Sequence, residues 1–256
     1  MYTFPLAIAK RTLNAAEKVG VDINQLVSLT GLDNVAGGES LLERVDHDFH
    51  EAFWPAAEKI SGDADIGLHL GEVFIGSGST ALEYLFLSSA SFGEALERSQ
   101  SYTRLISDAL NIQLCREHPD LCRIEFEFLH ATPEMLRHVQ EMTMVAYVSF
   151  FDLVTDKIFM PVRIEFSHPP PLESKEHRRI FGCEVMFGCA VNAIVFSDAV
   201  LAAPCLHSEP TMRAVHEKIV GEQLTELEKR DFIDEVQSVV AELLDSGEVS
   251  LDSVSE

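Results

Sequence analysis

Residues 85–128 read LFLSSASFGEALERSQSYTRLISDALNIQLCREHPDLCRIEFEF, and the period of their apolar positions changes partway along. A helix-start signal comes first. Ser91 stands as N-cap and Glu94 follows three residues later, where its carboxylate can reach back to the cap's backbone N–H. Ala95, Leu96, Tyr102, Thr103, Ile106, Ala109 and Leu110 then recur at helical spacing, with Glu97, Ser101, Arg104 and Asp108 on the opposite face. Beyond Leu110 the period becomes two. Ile112 and Leu114 alternate with polar residues, Glu117 to Asp120 make a turn, and Ile124, Phe126 and Phe128 alternate with Glu125 and Glu127. The stretch therefore predicts one helix followed by a β-hairpin with a single apolar face, its glutamates on the solvated side.

Towards the N-terminus the pattern is helical. Phe4 to Ala16 predict a first helix with Pro5 in its first turn and Gly20 at its end. Asn24 to Leu29 predict a second, stopped by Gly31, and 32–40 read as a loop. A third follows an Asp46 cap, with Pro55 expected to kink it or break it after Trp54. SGDADIGLHLGE reads as a turn and a short helix ending at Gly71, 75–80 as a loop, and Thr80 to Ser88 as a short helix. Towards the C-terminus, Thr132-Pro133 open a helix that runs to about Lys157 and is apolar nearly all round in its second half. Val162 to Phe166 alternate as a strand, Ser174 to Phe181 form a short charged helix, and Val185–Phe187 and Ala193–Phe196 are strand candidates. Met212 to Leu227 and Asp231 to Leu244 predict two further helices, the second with Phe232, Val236, Val239, Val240 and Leu243 along one side. The predicted class is α+β: an N-terminal helical segment, two α-β-β units sharing a mostly antiparallel sheet packed by helices, and C-terminal linker helices. The expected divisions are 1–80, 81–205 and 206–256.

The segment SSASFGEALERSQSYTRLISDAL resembles the regulatory domain of one branch of the AraC/XylS family of transcription regulators, with Phe92 at the family's usual Leu and Ser91 at its usual Thr. GDADIGLHLG, at Gly62, Asp63, Ile66, Gly67, Leu68 and Gly71, is similar to a second family segment, and FSHPPPLESKEHRRIFGCEVMFGCAVNAIVFS to a third. The resemblance implies an effector-sensing and dimerisation domain that binds a small molecule and controls a C-terminal helix-turn-helix pair. It also implies that FIDEVQSVVAELLDSGEVSLDSVS leads into the DNA-binding region, so a chain cut at that boundary is expected. The implied partners are an effector and a second copy, with DNA reached only through the further domain.

Composition bears on this. The formal charge is −23, and an acidic surface repels phosphate backbones, so these residues alone are not expected to bind DNA. No apolar run reaches the ~18 residues a membrane span needs, and no signal peptide is expected. A cytoplasmic protein with its five cysteines reduced is expected.

Catalytic and metal motifs are sparse. Cys115/Cys122 and Cys183/Cys189 flank turns, and Asp46, His47, Asp48 and His50 cluster at a helix start, yet no C-x-x-C or H-E-x-x-H spacing occurs. There is no G-x-S-x-G elbow, and the glycines at 76 and 78 lack a phosphate-loop lysine. No metal, no cofactor and no enzyme activity are expected; a small cytosolic α+β enzyme or metal-binding protein is the alternative. The aromatics offer more. Trp54, Tyr84, Tyr102, Tyr147 and Phe151 come from several helices and are candidates to line an apolar pocket, against the competing reading of core packing. Arg104 is the candidate anchor for a ligand carboxylate; an ion pair with Asp108 is the competing role.

Overall fold

The computed structural model describes residues 2–33, 35, 43–74, 80–129 and 133–246. The sequence readings at 36–42, 75–79, Thr132 and 247–256 lie outside them. Strand β1 (Thr3–Pro5) pairs antiparallel with β2 (Arg44–Asp46), a small sheet the sequence pattern did not disclose. Pro5 ends β1 and stands just before α1 (Leu6–Lys18), not in its first turn as expected. α2 (Ile23–Thr30) starts at Asp22, whose carboxylate accepts from the Gln25 N–H, and ends at Gly31 in the left-handed region at φ 69°. α3 (Asp48–Ser61) runs through Pro55 without the expected break; burial of Phe53, Trp54 and Ala57 on either side holds the helix across the missing N–H bond.

α4 (Ile66–Phe74) also continues past its expected end at Gly71. Gly67 and Gly71 sit one turn apart against α7 (Pro133–Val154). A Cβ at Gly67 would stand 2.6 Å from the His138 carbonyl oxygen, and one at Gly71 would stand 2.6 Å from the Val145 Cβ. These glycines let two helices approach closely; they do not stop one.

α5 (Ala81–Ser88) opens with a capping box between Thr80 and Glu83. α6 (Phe92–Ser99) opens at Ser91, whose hydroxyl accepts from the Glu94 N–H. The Glu94 carboxylate reaches the Ala90 N–H at 2.9 Å, one residue before the expected donor. The long helix predicted from Ser91 to Leu110 ends at Ser99. A 3-10 turn covers Gln100–Leu105, and Leu110 already belongs to β3 (Leu110–His118). Tertiary bonds explain the change: Asp108 accepts from the Thr3 hydroxyl at 2.7 Å, and Ser107 Oγ lies 2.9 Å from His47 Nε2. Those partners hold 107–108 away from helical geometry.

β3 and β4 (Leu121–Phe128) form the expected hairpin. β5 (Pro161–Glu165), α8 (Lys175–Phe181), β6 (Glu184–Met186) and β7 (Asn192–Ser197) complete a five-stranded sheet of order β3-β4-β7-β5-β6. Its neighbours are antiparallel except β5 and β6, which α8 connects in parallel. α7 lies between two cores. Met144, Phe151 and Val154 join the sheet's apolar cluster, while Met142 and Ala146 join that of the N-terminal helices. The two predicted C-terminal helices are one, α9 (Pro210–Ser246); Glu228, Lys229 and Arg230 are good helix formers and supply no break. The fold is α+β, with a mostly antiparallel sheet packed by helices. No helix among the described residues is long and apolar enough to cross a membrane.

Candidate functional site

A cavity of about 180 Å³ lies where the N-terminal helices, α5, α7 and the first hairpin converge. The scale suits a small molecule, since an engineered apolar cavity of about 150 Å³ holds benzene. α1 supplies Ile8 and Arg11, α5 supplies Leu82, Glu83 and Phe86, and the hairpin supplies Ile112, Leu114, Ile124 and Phe128. α7 contributes Met142, Thr143, Ala146, Tyr147, Phe150 and Phe151 on one side of its turns. The walls are mostly apolar because α5, α7 and the hairpin each turn an apolar face inward.

The polar groups are few. Arg11 Nη1 donates to Glu83 Oε1 at 3.0 Å, and its guanidinium stands 4.5 Å over the Phe74 ring. Glu83 also accepts from the Thr80 N–H at 2.6 Å. Arg11 and Glu83 are therefore a mutually neutralised pair, and among the described lining residues Glu83 is the one carboxylate. The Tyr147 hydroxyl is buried and meets no hydrogen-bond partner among the described residues. Burial, with Glu83 adding to it, raises the Tyr147 pKa, so the group stays a phenol. His50 on the α3 side is pushed down to about 3 by burial and by neighbouring His47, and its Nδ1 accepts from Trp54 Nε1–H at 3.2 Å.

Of the residues singled out from sequence, Tyr147 and Phe151 line this cavity. Trp54 lies behind the wall, fully buried and stacked on His138 at 5.6 Å. Tyr84 is on the other face of α5, 47 % exposed and stacked on His216. Tyr102 packs in a small cluster with Leu82, Leu85 and Val220. Arg104 lies 3.5 Å from Asp108 and 2.5 Å from Asp231 of α9, outside the cavity wall. Sequence reasoning missed Arg11 and Glu83. Nothing local marks Arg11, an ordinary charge on an amphipathic helix, and Glu83 carried only a capping signal.

A second buried cluster stands apart from the cavity. Glu141, His168 and His177 bring ligand-type atoms within 4.8 Å of one another. They come from α7, from the segment after β5 and from α8, so no motif spacing exposes them.

The fold places a partly open, mostly apolar cavity between the N-terminal helices and the sheet. The chain belongs to the family of the N-terminal arabinose-binding domain of AraC transcription regulators, whose model matches residues 20–205. It is 26% identical over 190 residues to the ornithine utilization regulator of Pseudomonas aeruginosa, over 72% of this chain and 53% of that protein. The chain thus spans about half the length of that curated relative. The crystal structure of the transcriptional regulator CdpR from Pseudomonas aeruginosa matches with a TM-score of 0.56 at 16% identity, covering 82% of this chain and 61% of that one. That likeness is one of fold.

Proposed function

We propose that this chain is the effector-sensing and dimerisation part of an AraC-type regulator, binding a small, largely apolar molecule and controlling a helix-turn-helix region in the whole protein. The observation that carries the reading is the cavity, whose walls come from the N-terminal helices and from the sheet together. A ligand there changes how those layers pack, and so has different affinity for two arrangements of the domain. α5 is the natural relay. It gives Leu82, Glu83 and Phe86 to the cavity, while Leu82 and Leu85 pack on Val220 of α9 and Ser88 Oγ lies 3.0 Å from His216 Nδ1. α6 adds Arg98–Glu217 and Glu94–Arg213 pairs to α9.

The outer half of α9 supports the dimer reading. Phe232 is 66% exposed, and Ile233 and Val239 are exposed with it. A second copy covering this face buries what one chain leaves in water. The relative named for ornithine utilization raises a cationic amino acid as effector. Here the one carboxylate among the described lining residues is already bound to Arg11, so the chemistry favours an uncharged apolar body. Division of labour follows 1–80 and 81–205 as sensor and 206–256 as linker, with no catalysis.

A thermal-stability screen of small aromatic and aliphatic compounds, beside amino acids and sugars, tests this. Apolar compounds should stabilise the chain by mass action, by about 2.7 kcal/mol at a hundredfold excess over Kd. Stabilisation by ornithine or sugars with no response to apolar compounds counts against it.

A further inference from the structure

We infer that Glu141, His168 and His177 form a binding site for a transition-metal dication of the Zn²⁺ type, tying α7 to the connection between β5 and α8. The geometry comes first. His177 Nε2 lies 2.7 Å from Glu141 Oε1, and His168 Nε2 lies 3.8 Å from the same oxygen. The side chains of Glu141 and His177 are 0% exposed and that of His168 is 4%. Zinc takes nitrogen and carboxylate ligands at about 2.0–2.2 Å in tetrahedral geometry, so two ligand atoms stand about 3.3–3.5 Å apart. The three atoms are all within 4.8 Å; side-chain rotation that draws in the longer separations and opens the 2.7 Å Glu141–His177 one brings the set to that spacing.

The second observation is independent of spacing. Glu141 Oε2, His168 Nε2 and His177 Nδ1 are buried without a hydrogen-bond partner among the described residues, and so is His138 Nδ1. Buried polar atoms are normally paired; Glu141 Oε2, His168 Nε2 and His138 Nδ1 together point to a missing ligand, whereas His177 already meets Glu141 through Nε2 and its Nδ1 points away. His138 Nδ1 stands 3.9 Å from Glu141 Oε2 and is the next available donor.

The tautomer is also set. His168 Nδ1 donates to the Pro169 carbonyl at 2.8 Å, which leaves the Nε2 lone pair facing Glu141. Metal-bound histidines are oriented in this way by a carbonyl on the other ring nitrogen. Burial lowers the His168 pKa, keeping the ring neutral, and the pKa of Glu141 is lowered by His177 and Arg137 despite its burial. Arg137 shares its charge between Glu141 Oε1 at 2.8 Å and Asp65 at 2.5 Å. The Asp65–Arg137–Glu141 set thus keeps one net negative charge for a dication. Two imidazoles and one carboxylate favour Zn²⁺, Co²⁺ or Ni²⁺ over Mg²⁺ or Ca²⁺. None of the three residues lines the cavity, so the site acts on the packing of α7 and α8.

The test uses chelator-treated chain titrated with Zn²⁺ and Co²⁺, followed by melting temperature and by equilibrium dialysis. One dication per chain should bind and raise the melting temperature. His168→Phe keeps the ring contacts with Phe166 at 4.8 Å and Phe187 at 5.5 Å. It should fold as well as the metal-free parent and lose affinity by more than about 100-fold. Half-buried His69, beside Asp63 at 2.5 Å and Glu176 at 3.3 Å, is the rival site, and His69→Ala should leave binding intact. Absence of any metal response would mean that the orphans hold only internal water, and overturns the proposal. So does a response that persists in His168→Phe or disappears in His69→Ala.

Discussion

Arg11 of α1 and Glu83 of α5 meet in the cavity wall, Nη1 to Oε1 at 3.0 Å, and join the N-terminal helices to the helix that packs on α9. The side chains are 10% and 22% exposed, so the pair is only partly screened by water. Because Glu83 also holds the Thr80 N–H, its removal breaks two charge-assisted bonds. Glu83→Ala should destabilise the chain by about 2–3 kcal/mol in urea melts. A loss below about 0.5 kcal/mol would show the pair to be an ordinary surface contact.

Gly67 and Gly71 set the spacing of α4 and α7. Gly71→Ala puts a methyl group 2.6 Å from the Val145 Cβ and 3.1 Å from the Met142 carbonyl oxygen. It should cost about 1–3 kcal/mol by overpacking. Gly221→Ala, on α9 with nothing within 4 Å of the added Cβ, should instead stabilise by about 0.5–1 kcal/mol. Equal effects at the two positions would remove the close-approach argument.

His50 gives a pH dependence of known sign. Its folded pKa of about 3 lies below the ordinary value of 6.5, so the unfolded chain binds the proton first. The stability from a neutral His50 is fully present above pH ~6.5 and is lost as pH falls towards 3, by up to about 1.4 kcal/mol per unit. Glu141, also lowered, acts in the same direction below the ordinary carboxylate range. His50→Gln, which keeps an acceptor for Trp54, should flatten the stability profile between pH 6 and 5. A profile as steep as the parent's would assign the dependence elsewhere.

Tyr147→Phe removes a buried hydroxyl that has no partner among the described residues. The variant should be as stable as the parent or more so, because no bond is lost. Tyr102→Ala, outside the cavity, should loosen the contact with Val220 of α9 while the chain still binds an apolar ligand. A large loss of stability in Tyr147→Phe would reveal a hydrogen bond that the described residues do not contain.

The sequence made the hairpin, α7 and the α+β class legible because period and turn chemistry are local. Ser91 worked as a cap for the same reason. Where tertiary contacts decide, local pattern misled. Asp108 and Ser107 are held by Thr3 and His47, so the helix ends at Ser99. Gly71 looked like a stop and is a close-packing position. The aromatic guess brought in Tyr147 and Phe151 because α7 turns its apolar side to the cavity, whereas Tyr84 and Tyr102 face α9. The pairing of Arg11 with Glu83 spans 72 residues and leaves no local trace.

We propose that a small apolar molecule occupies the cavity beside α7. Ala146 lines that cavity and is buried, and Ala146→Leu fills it. Calorimetric titration of both proteins with an apolar compound found to stabilise the parent is the direct measurement. Saturable one-to-one binding to the parent is expected, with loss of that binding in an Ala146→Leu protein that still melts cooperatively. Equal affinity for the two proteins would contradict it.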